Sequence, residues 1–205
     1  MKEHFENSIV AWGKFTKRPR YLCTSNDGTV FVRSNFQTIT PTGASHNYTV
    51  VIPSAISKIV IGANYEIHGS IETHLKHNNT GNKKPILTVN ILINSLQQVD
   101  SVDEAGCLVK MCGTVRQKPY FTTAPSGTAI CSATITVPRD GKLVDVIPCI
   151  SYYSNAKVLH TAEAGSCVSG VGKLVERSYR KLLEDGSFMQ RTVHEVNLKE
   201  VTILS

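Results

Sequence analysis

The sequence lacks features that several large classes of protein require. It contains no run of about 18 apolar residues, so a membrane-spanning helix is not expected. The segment that begins at Met1 has neither an apolar core nor a cleavage site of small residues, which argues against a signal peptide. A cytoplasmic protein is therefore the expectation.

Motifs of catalysis and of metal binding are also missing. There is no P-loop, no Gly-x-Ser-x-Gly and no His-Glu-x-x-His, and no pair of carboxylates is placed for acid–base chemistry. His74 and His77 are three residues apart, but no cysteine is near them, so a zinc site is not predicted. The sequence predicts a protein that is not an enzyme and that binds no cofactor and no metal.

The six cysteines include no Cys-x-x-Cys pair, and most of them lie in apolar, alternating runs. We interpret them as buried thiols in a reducing compartment rather than as disulfides. The charge is mildly basic, with 22 lysines and arginines against 16 acidic residues and a net charge of +6. Such a surface is compatible with a polyanionic partner but does not require one.

The sequence does contain an internal repeat of roughly 95 residues, which is the length of a domain rather than of a solenoid unit. Glycines, prolines and a Val-Ile-Pro tripeptide recur in the same order: Gly13, Pro19, Gly28 and Val51–Pro53 as Gly113, Pro119, Gly127 and Val146–Pro148. We predict a first domain over residues 1–99, an acidic linker over 100–106 and a second domain over 107–205.

Alternating apolar and polar residues, as in Leu87–Asn94, predict strands, and turn dipeptides such as Asp27-Gly28 separate them. Each copy is predicted to have five strands. In the second copy, residues 154–165 predict a short helix that is capped by Ser154 or Asn155 and ended by Gly165. The first copy has a shorter segment of uncertain type there.

Five strands with a helix between the third and the fourth is the order of an OB-fold barrel. The predicted fold is therefore all-β, with two tandem OB-fold five-stranded Greek-key barrels and a short helix between strands 3 and 4 of the second. Other small Greek-key barrels would also fit the strands, and the position of the helix favours the OB-fold.

The second copy resembles the bacterial single-stranded DNA-binding proteins, the SSB family. The matching segments include Val109–Val115 with its glycine, Asp145–Ala156, the run Gly165–Tyr179 and Thr192–Val196. The run Gly165–Tyr179 is the most specific, because it is similar to the family's fourth strand, in which leucine, arginine and an aromatic residue follow a glycine-containing β run. The resemblance covers nearly all of residues 105–205, and the first copy follows through the internal repeat.

One departure concerns the end of the chain. Members of this family carry a glycine-rich linker and an acidic C-terminal tip that recruits partners, whereas this sequence ends in Lys199–Ser205. The expected form is therefore a tandem OB-fold form without the acidic tip, with tail-less primosomal replication proteins as the second candidate. By family analogy, a homodimer would give four barrels.

Binding of single strands requires cations along the phosphates and exposed flat side chains on which bases stack. In the first copy the predicted binding residues fall into three groups. The loop between strands one and two contributes Lys14, Lys17, Arg18, Arg20 and Tyr21, the strands contribute Trp12 and Arg33, and the later cations are Lys76 and Lys83. Arg33 shares a strand face with Phe31. Histidines replace the aromatic residue near Lys76, so weaker stacking is predicted in this copy.

In the second copy the predicted binding residues lie in the equivalent loop, at the end of the third strand and along the last hairpin. They are Arg116, Lys118, Tyr120, Phe121, Tyr153, Lys173, Arg177, Tyr179, Arg180, Lys181 and Arg191. The resemblance makes Tyr179 the preferred stacking residue. For each loop the alternative is that the charges are solvated and the aromatics fold back onto the barrel, and for Tyr179 the alternative is cross-strand packing.

The leading hypothesis is a protein of the cytoplasm, associated with the nucleoid, that binds single-stranded DNA with little sequence preference. It would act in DNA replication or recombination, and other proteins of those processes are candidate partners. One alternative is an OB-fold interaction module of a replication or primosome complex with weak or no DNA binding. Another alternative is RNA binding.

Overall fold

The computed structural model describes residues 5–39, 43–76, 85–101, 103, 106–139, 143–182 and 186–204, with only the backbone described at 181 and 182. Within these residues nearly all of the regular secondary structure is β-strand. The first half contains six strands: β1 (Glu6–Phe15), β2 (Arg20–Thr24), β3 (Val30–Ile39), β4 (Ser45–Pro53), β5 (Asn64–Lys76) and β6 (Ile86–Gln98).

The second half repeats the order and adds a helix. Its elements are β7 (Cys107–Val115), β8 (Tyr120–Thr123), β9 (Ala129–Pro138), β10 (Val144–Tyr152), α1 (Tyr153–His160), β11 (Cys167–Leu182) and β12 (Phe188–Leu204). The prediction of five strands per copy missed β2 and β8. Both are short strands that pair only with the strand that follows them, so they lie beside the five-stranded barrel rather than within it.

Each half closes into a barrel through the same pairings. In the first half β1 pairs with β3, β3 with β4, β4 in parallel with β6, β6 with β5, and β5 returns to β1. The second half has the corresponding pairs, including the parallel pair of β10 with β12. This strand order, with the helix between β10 and β11, confirms the two tandem OB-folds.

Alternate residues of the strands fill the two barrel interiors. In the first barrel the rings of Phe15, Phe36 and Tyr65 meet edge to face, with centroids 5.0 and 5.2 Å apart. In the second barrel, Leu159 of α1 is fully buried and closes one end of the interior. Two glycines mark the same bulge in each half: a Cβ at Gly69 would overlap the carbonyl oxygen of Leu92, and one at Gly172 that of Asn197.

The helix starts and ends earlier than predicted. Tyr152 occupies the cap position, and no side chain caps the helix. Asn155, one of the two predicted caps, instead donates a hydrogen bond to the carbonyl oxygen of Lys199 at 2.6 Å. The helix ends at His160, and Gly165 (φ 90°) belongs to a later turn. The first half has only one 3-10 turn, Ser54–Ile56, at this place.

The two barrels are joined into one twelve-stranded sheet. Residues Glu6–Ala11 of β1 pair antiparallel with Cys112–Cys107 of β7. The boundary proposed at residues 100–106 therefore stays a prediction, because strands from the two sides of it pair directly with each other.

A second contact between the halves fixes the long hairpins. The Thr73 amide of β5 donates to Asp145 Oδ1 at 2.8 Å, and the Val146 amide donates back to Thr73 Oγ1 at 2.7 Å. The β5–β6 hairpin is thus hydrogen-bonded to β10 of the second half, and the β11–β12 hairpin contacts β4 of the first half in the same way.

The equivalent contact on the other side uses Glu176 of β11. Its amide donates to His46 Nδ1 at 3.3 Å, and the Asn47 amide donates to Glu176 Oε2 at 3.1 Å. The Tyr48 hydroxyl, which is buried, adds a hydrogen bond to the Leu174 carbonyl oxygen at 2.6 Å. These bonds hold the two hairpins at fixed positions relative to both barrels.

All six cysteines are among the described residues, and none forms a disulfide. Four of them are buried as predicted, Cys167 is half-buried, and Cys23 of β2 is exposed. Burial raises the pKa of the Cys131 thiol to about 11.

Candidate nucleic-acid interface

A long open groove runs between the ends of the two hairpins. The first half lines it with residues of β2 to β6, and the second half with residues of β11 and β12 and with Pro148 of β10. Five of the predicted binding residues meet here: Arg33, Lys76, Arg177, Tyr179 and Arg191. Residues from both copies therefore share one surface, which the sequence repeat did not indicate.

Three of the groove cations are free to take a ligand. Arg33, Lys76 and Arg191 form no ion pair with another described residue. Arg33 and Lys76 are exposed, and Arg191 is half-buried. Each can present its charge to a phosphate without first breaking an internal ion pair.

Arg177 is in a different state. Its Nε lies 2.7 Å from Glu195 Oε1, its Nη2 lies 3.3 Å from Glu195 Oε2, and Glu195 is only 8% exposed. The hydrogen bond to Glu195 raises the pKa of Arg177 above its usual range. This two-point contact fixes the plane of the guanidinium relative to its neighbours on β11 and β12.

The Tyr179 ring is one of those neighbours. It lies on the same face of β11, with the Arg177 Cζ 5.3 Å from its ring centroid, and it is half-buried. Phe31 of β3 lines the groove as well, on the same strand face as Arg33, as predicted. A fixed tyrosine and a phenylalanine give the groove two flat surfaces.

Aliphatic side chains form the rest of the apolar lining. Leu75 and Ile86 are 61% and 40% exposed, and Leu22 is 38% exposed. None of them was singled out from the sequence. For Leu75 and Ile86, an apolar residue at the end of a strand was the available indication.

The carboxylates of the groove are engaged with protein partners. Glu72 pairs with Arg139, and its other oxygen lies 3.5 Å from His74 Nε2. Glu195 pairs with Arg177. The lining therefore contains four arginines and lysines against these two carboxylates, so its charge balance favours an anion.

The groove continues into a shallow basic depression. Lys17, Arg18 and Arg20 line this depression together with Arg33 and Thr49, and the last two residues also line the groove. The loop is held by hydrogen bonds from Ser34 Oγ to the Lys17 carbonyl oxygen (2.5 Å) and from the Thr16 amide to the Asn35 carbonyl oxygen (3.0 Å).

Within the described residues, Lys17, Arg18 and Arg20 also form no ion pair. The predicted first-copy loop thus joins the groove as one basic surface. We refer to the groove and the basic depression together as the shared groove.

Comparison with known proteins by sequence finds nothing, since no protein-family model and no curated protein matches the chain. By structure the chain is similar to the wild-type single-stranded DNA binding protein from Thermus aquaticus, with a TM-score of 0.73, 15% identity, and coverage of 98% of this chain and 94% of that chain. A deletion mutant of the same protein gives a TM-score of 0.73, 14% identity and coverage of 98% and 95%. The fold is SSB-like. At these identities the similarity establishes the fold, and the side chains of this chain must carry any functional argument.

The second-copy loop does not join the shared groove. Lys118 Nζ pairs with Glu163 Oε1 at 2.8 Å, and the Phe121 ring lies 4.8 Å from the ring of His160. Phe121 therefore packs against the helix end, as the alternative for this loop proposed. Arg116 and Tyr120 are exposed, Tyr120 by 70%, but they lie outside the groove lining.

Trp12 lies on the face of β1 opposite the buried Ala11, and its indole Nε1 donates to Glu66 Oε2 at 2.8 Å. His68 Nε2 lies 2.6 Å from the other oxygen of the same carboxylate. These hydrogen bonds, the one with His68 first, lower the pKa of Glu66. Trp12 is therefore part of an outer polar network and does not line the groove.

Other predicted residues also lie outside the lining of the groove and the depression. They are Lys14 at the end of β1, Tyr21, Tyr153 at the start of α1, Lys173 and Arg180. Tyr21 and Tyr153 are 69% and 68% exposed. Lys83 and the side chain of Lys181 fall outside the described residues. Nucleic-acid binding by any of these residues stays a prediction.

Among the described residues, no group of three or more His, Cys, Asp or Glu side chains is placed to hold a metal ion. In the same part of the chain, no helix has the length and apolar character needed to cross a membrane.

Proposed function

We propose that this protein binds single-stranded DNA with little sequence preference in the shared groove. The observation that carries the proposal is the convergence of six cations that form no ion pair with another described residue (Lys17, Arg18, Arg20, Arg33, Lys76 and Arg191) with the rings of Tyr179 and Phe31. Cations can follow a phosphate backbone while bases stack on the rings, and every base has a face that can stack. The SSB-like fold supports the same function.

The lack of sequence preference follows from the kind of side chain present. Stacking and phosphate contacts do not distinguish bases. In the groove lining, the carboxylates Glu72 and Glu195 are held by arginines of the protein. They are therefore not available to read base edges.

A fluorescence titration with dT oligonucleotides at several salt concentrations tests the proposal. Each phosphate contact on a single strand contributes about −0.7 to the slope of log K against log salt, so six contacts predict a slope of about −4. Failure to bind, or equal affinity for duplex DNA, would contradict the proposal.

Single substitutions assign the contacts. Arg33→Ala in the first half and Arg191→Ala in the second should each reduce the magnitude of the salt slope by about 0.7. Arg116→Ala is the matched control, because Arg116 is exposed but lies outside the groove, and its slope should remain that of the unchanged protein. Competition between rU and dT oligonucleotides distinguishes DNA from RNA as the preferred strand.

We further propose that the protein acts as a binding protein and not as an enzyme, in DNA replication or recombination in the cytoplasm. Two chains would associate to bring four barrels together. The outer face of the β1–β7 junction supports this association, because Val10 pairs there with Leu108, which is 37% exposed. Light scattering of the unchanged protein should give twice the chain mass, and Leu108→Asp should give the single-chain mass. A single-chain mass for the unchanged protein would overturn this part of the proposal.

A further inference from the structure

The two halves close the same corner of their barrels differently. This corner lies between the loop after the first strand and the segment before the fifth strand of each half. The Gly62 amide donates to the Phe15 carbonyl oxygen at 3.1 Å, and the Gly165 amide donates to the Val115 carbonyl oxygen at 2.9 Å. Since these bonds are equivalent, Ile61 corresponds to Ala164 and Val60 to Glu163.

In the second half the corner is closed. Ala156, Leu159 and Ala162, from α1 and the turn after it, are buried. Pro119 is also buried. Lys118 is neutralised by Glu163 at 2.8 Å. The apolar side chains named above and the Lys118 cation are therefore already engaged with protein partners.

In the first half the corner is open. The 3-10 turn Ser54–Ile56 buries none of its residues, and Val60 and Ile61 are 61% and 41% exposed. Arg18, at the position of Lys118, has Val60 in place of an acidic partner and makes no ion pair with any described residue. We call the resulting depression the corner pocket. Its walls include Pro19, Val32, Ile59 and Ile61, and Arg18 lies at its rim.

The corner pocket is continuous with the shared groove. Arg18 lines both the pocket and the basic depression, and Arg33 and Thr49 line both the depression and the groove. A strand that follows the cations from Arg191 and Arg33 past Lys17 therefore arrives at Arg18. The next surface it meets combines the apolar side chains of Pro19, Val32, Ile59 and Ile61 with the polar side chains of Thr16 and Ser57.

The chemistry of the corner pocket fits one nucleotide. Its proline, valine and isoleucine side chains offer an apolar wall against which a base can lie, since burial of apolar surface is favourable. The guanidinium of Arg18 can hold the adjoining phosphate with two parallel hydrogen bonds. We propose that the corner pocket is the terminal subsite of the DNA path and takes the last bound nucleotide, with its base against Ile59 and Ile61 and its phosphate on Arg18. This inference rests on the proposed function.

The proposal predicts an effect that depends on the length of the strand. A short oligonucleotide can occupy the groove alone and never reach the corner. A longer one gains the terminal contact, in which burial of apolar surface at Ile59 and Ile61 and a phosphate contact at Arg18 together add about 10-fold in affinity. A substitution in the corner pocket should therefore weaken binding of long strands only.

The test compares Ile61→Asp with Ala164→Asp, which places the same carboxylate at the equivalent, closed corner of the second half. Affinities are measured for dT oligonucleotides from about 6 to about 40 nucleotides, a range that brackets the roughly 8–32 nucleotides that two OB-folds of about 4–16 nucleotides each would occupy. We expect Ile61→Asp to bind the longest strands about 10-fold more weakly than the unchanged protein and the shortest ones within about twofold. Ala164→Asp should match the unchanged protein at every length, and circular dichroism checks that both variants fold.

Arg18→Gln provides a second variant that leaves the apolar wall intact. It should also weaken binding of long strands selectively, by about fivefold or more, and reduce their salt slope by about 0.7. Equal affinities of Ile61→Asp and the unchanged protein at every length would overturn the proposal that the corner pocket is a DNA subsite. Binding of an acidic peptide in the pocket would not rescue the proposal after that result. Failure of the unchanged protein to bind any oligonucleotide would overturn the proposed function together with this inference, and that result is distinguishable from a loss confined to one variant.

Discussion

The first and second halves contact each other at equivalent backbone positions, but the side chains that make these contacts differ. Thr73 and Glu176 occupy the same place on their hairpins, and the residues they contact in the other half, Asp145 and His46, also correspond. The backbone amides make the same bonds on both sides, but the side-chain groups differ. One contact uses the hydroxyl of Thr73 and the carboxylate of Asp145, and the other uses the carboxylate of Glu176 and the imidazole of His46. Backbone geometry has thus been kept in the two halves while the chemistry of the side chains has diverged.

This comparison explains why binding residues cannot be transferred from one half to the other by their spacing. Arg18 and Lys118 are equivalent in the backbone, but among the residues that the structure describes an acidic partner neutralises Lys118 and none pairs with Arg18. Tyr179 lines the groove, and it lies there beside residues of the first half. The predictions below separate what the halves share from what they do not, from the largest expected effect to the smallest.

The shared backbone is tested at the two bulge glycines. Gly69→Ala and Gly172→Ala should each lower the free energy of unfolding by about 2–4 kcal/mol, because the added Cβ would overlap a backbone oxygen that cannot move without breaking the sheet. Thermal unfolding followed by circular dichroism measures the loss, with Ser70→Ala as a nearly neutral control. If one half tolerated the substitution, the two bulges would not be equivalent.

The cross-half contacts are tested at the two divergent partners. Asp145→Ala should cost about 2 kcal/mol, since it leaves the Thr73 amide without its acceptor and removes one carboxylate from Arg139, which lies 3.1 Å away. His46→Ala should cost about 1 kcal/mol, because it removes one neutral acceptor. Chemical denaturation gives both free energies of unfolding. If His46→Ala cost as much stability as Asp145→Ala, or more, the carboxylate contact would not be stronger than the imidazole contact.

The unequal binding surfaces are tested at two tyrosines of the second half. Tyr179→Ala should weaken binding of dT oligonucleotides about 10-fold, as expected for the loss of one stacked base. Tyr120→Ala should change it by less than about twofold, because Tyr120 is 70% exposed and outside the groove. Fluorescence or anisotropy titration measures both. A larger loss for Tyr120→Ala would move the site away from the shared groove.

The smallest expected effect is on pH dependence. Burial lowers the pKa of His46, so the unfolded chain takes up this proton before the folded one does. Its contribution to stability is therefore constant above about pH 6.5 and decreases as the pH falls through the lower folded-state pKa. The melting temperature should fall between about pH 7 and about pH 5 by slightly more in the unchanged protein than in His46→Asn, with a difference in stability below about 1 kcal/mol.

Asp145, at the equivalent position, gives the opposite dependence. Burial is the main cause of the raised pKa of this carboxyl, so the folded state holds its proton more firmly and its contribution to stability increases as the pH falls through the folded-state pKa. The His46 effect would be contradicted if His46→Asn and the unchanged protein had parallel melting profiles.

The sequence predicted the barrels well because their determinants are local. Alternating runs, turn glycines and the position of α1 are each visible within about 15 residues, which is the scale on which periodicity is read. The helix cap was wrong because the side chain of Asn155 bonds to Lys199, which is 44 residues away in the sequence. The short strands β2 and β8 were missed because four or five residues that are mostly exposed show no clear alternation.

The site was harder to predict because it is assembled from both copies. Arg33 and Arg191 are far apart in sequence and meet only because each hairpin reaches the other half. Composition singled out Lys17, Arg18 and Arg20, which lie together beside the groove, and their role in binding stays a prediction. The same composition at Lys118 and Phe121 did not indicate that these residues contact Glu163 and His160, which come from a helical segment that the first half lacks.

The pairing of β1 with β7 has a consequence for solubility. Within its own barrel, β1 reaches β3 only through Lys14 and Phe15, so Glu6–Ala11 would present a row of unpaired amides and carbonyls on that side. Exposed strand edges of this kind recruit other chains and promote aggregation. In this protein the equivalent edge of β7 pairs with these groups. The duplication thereby covers, in each barrel, the strand edge that would otherwise be open to other chains.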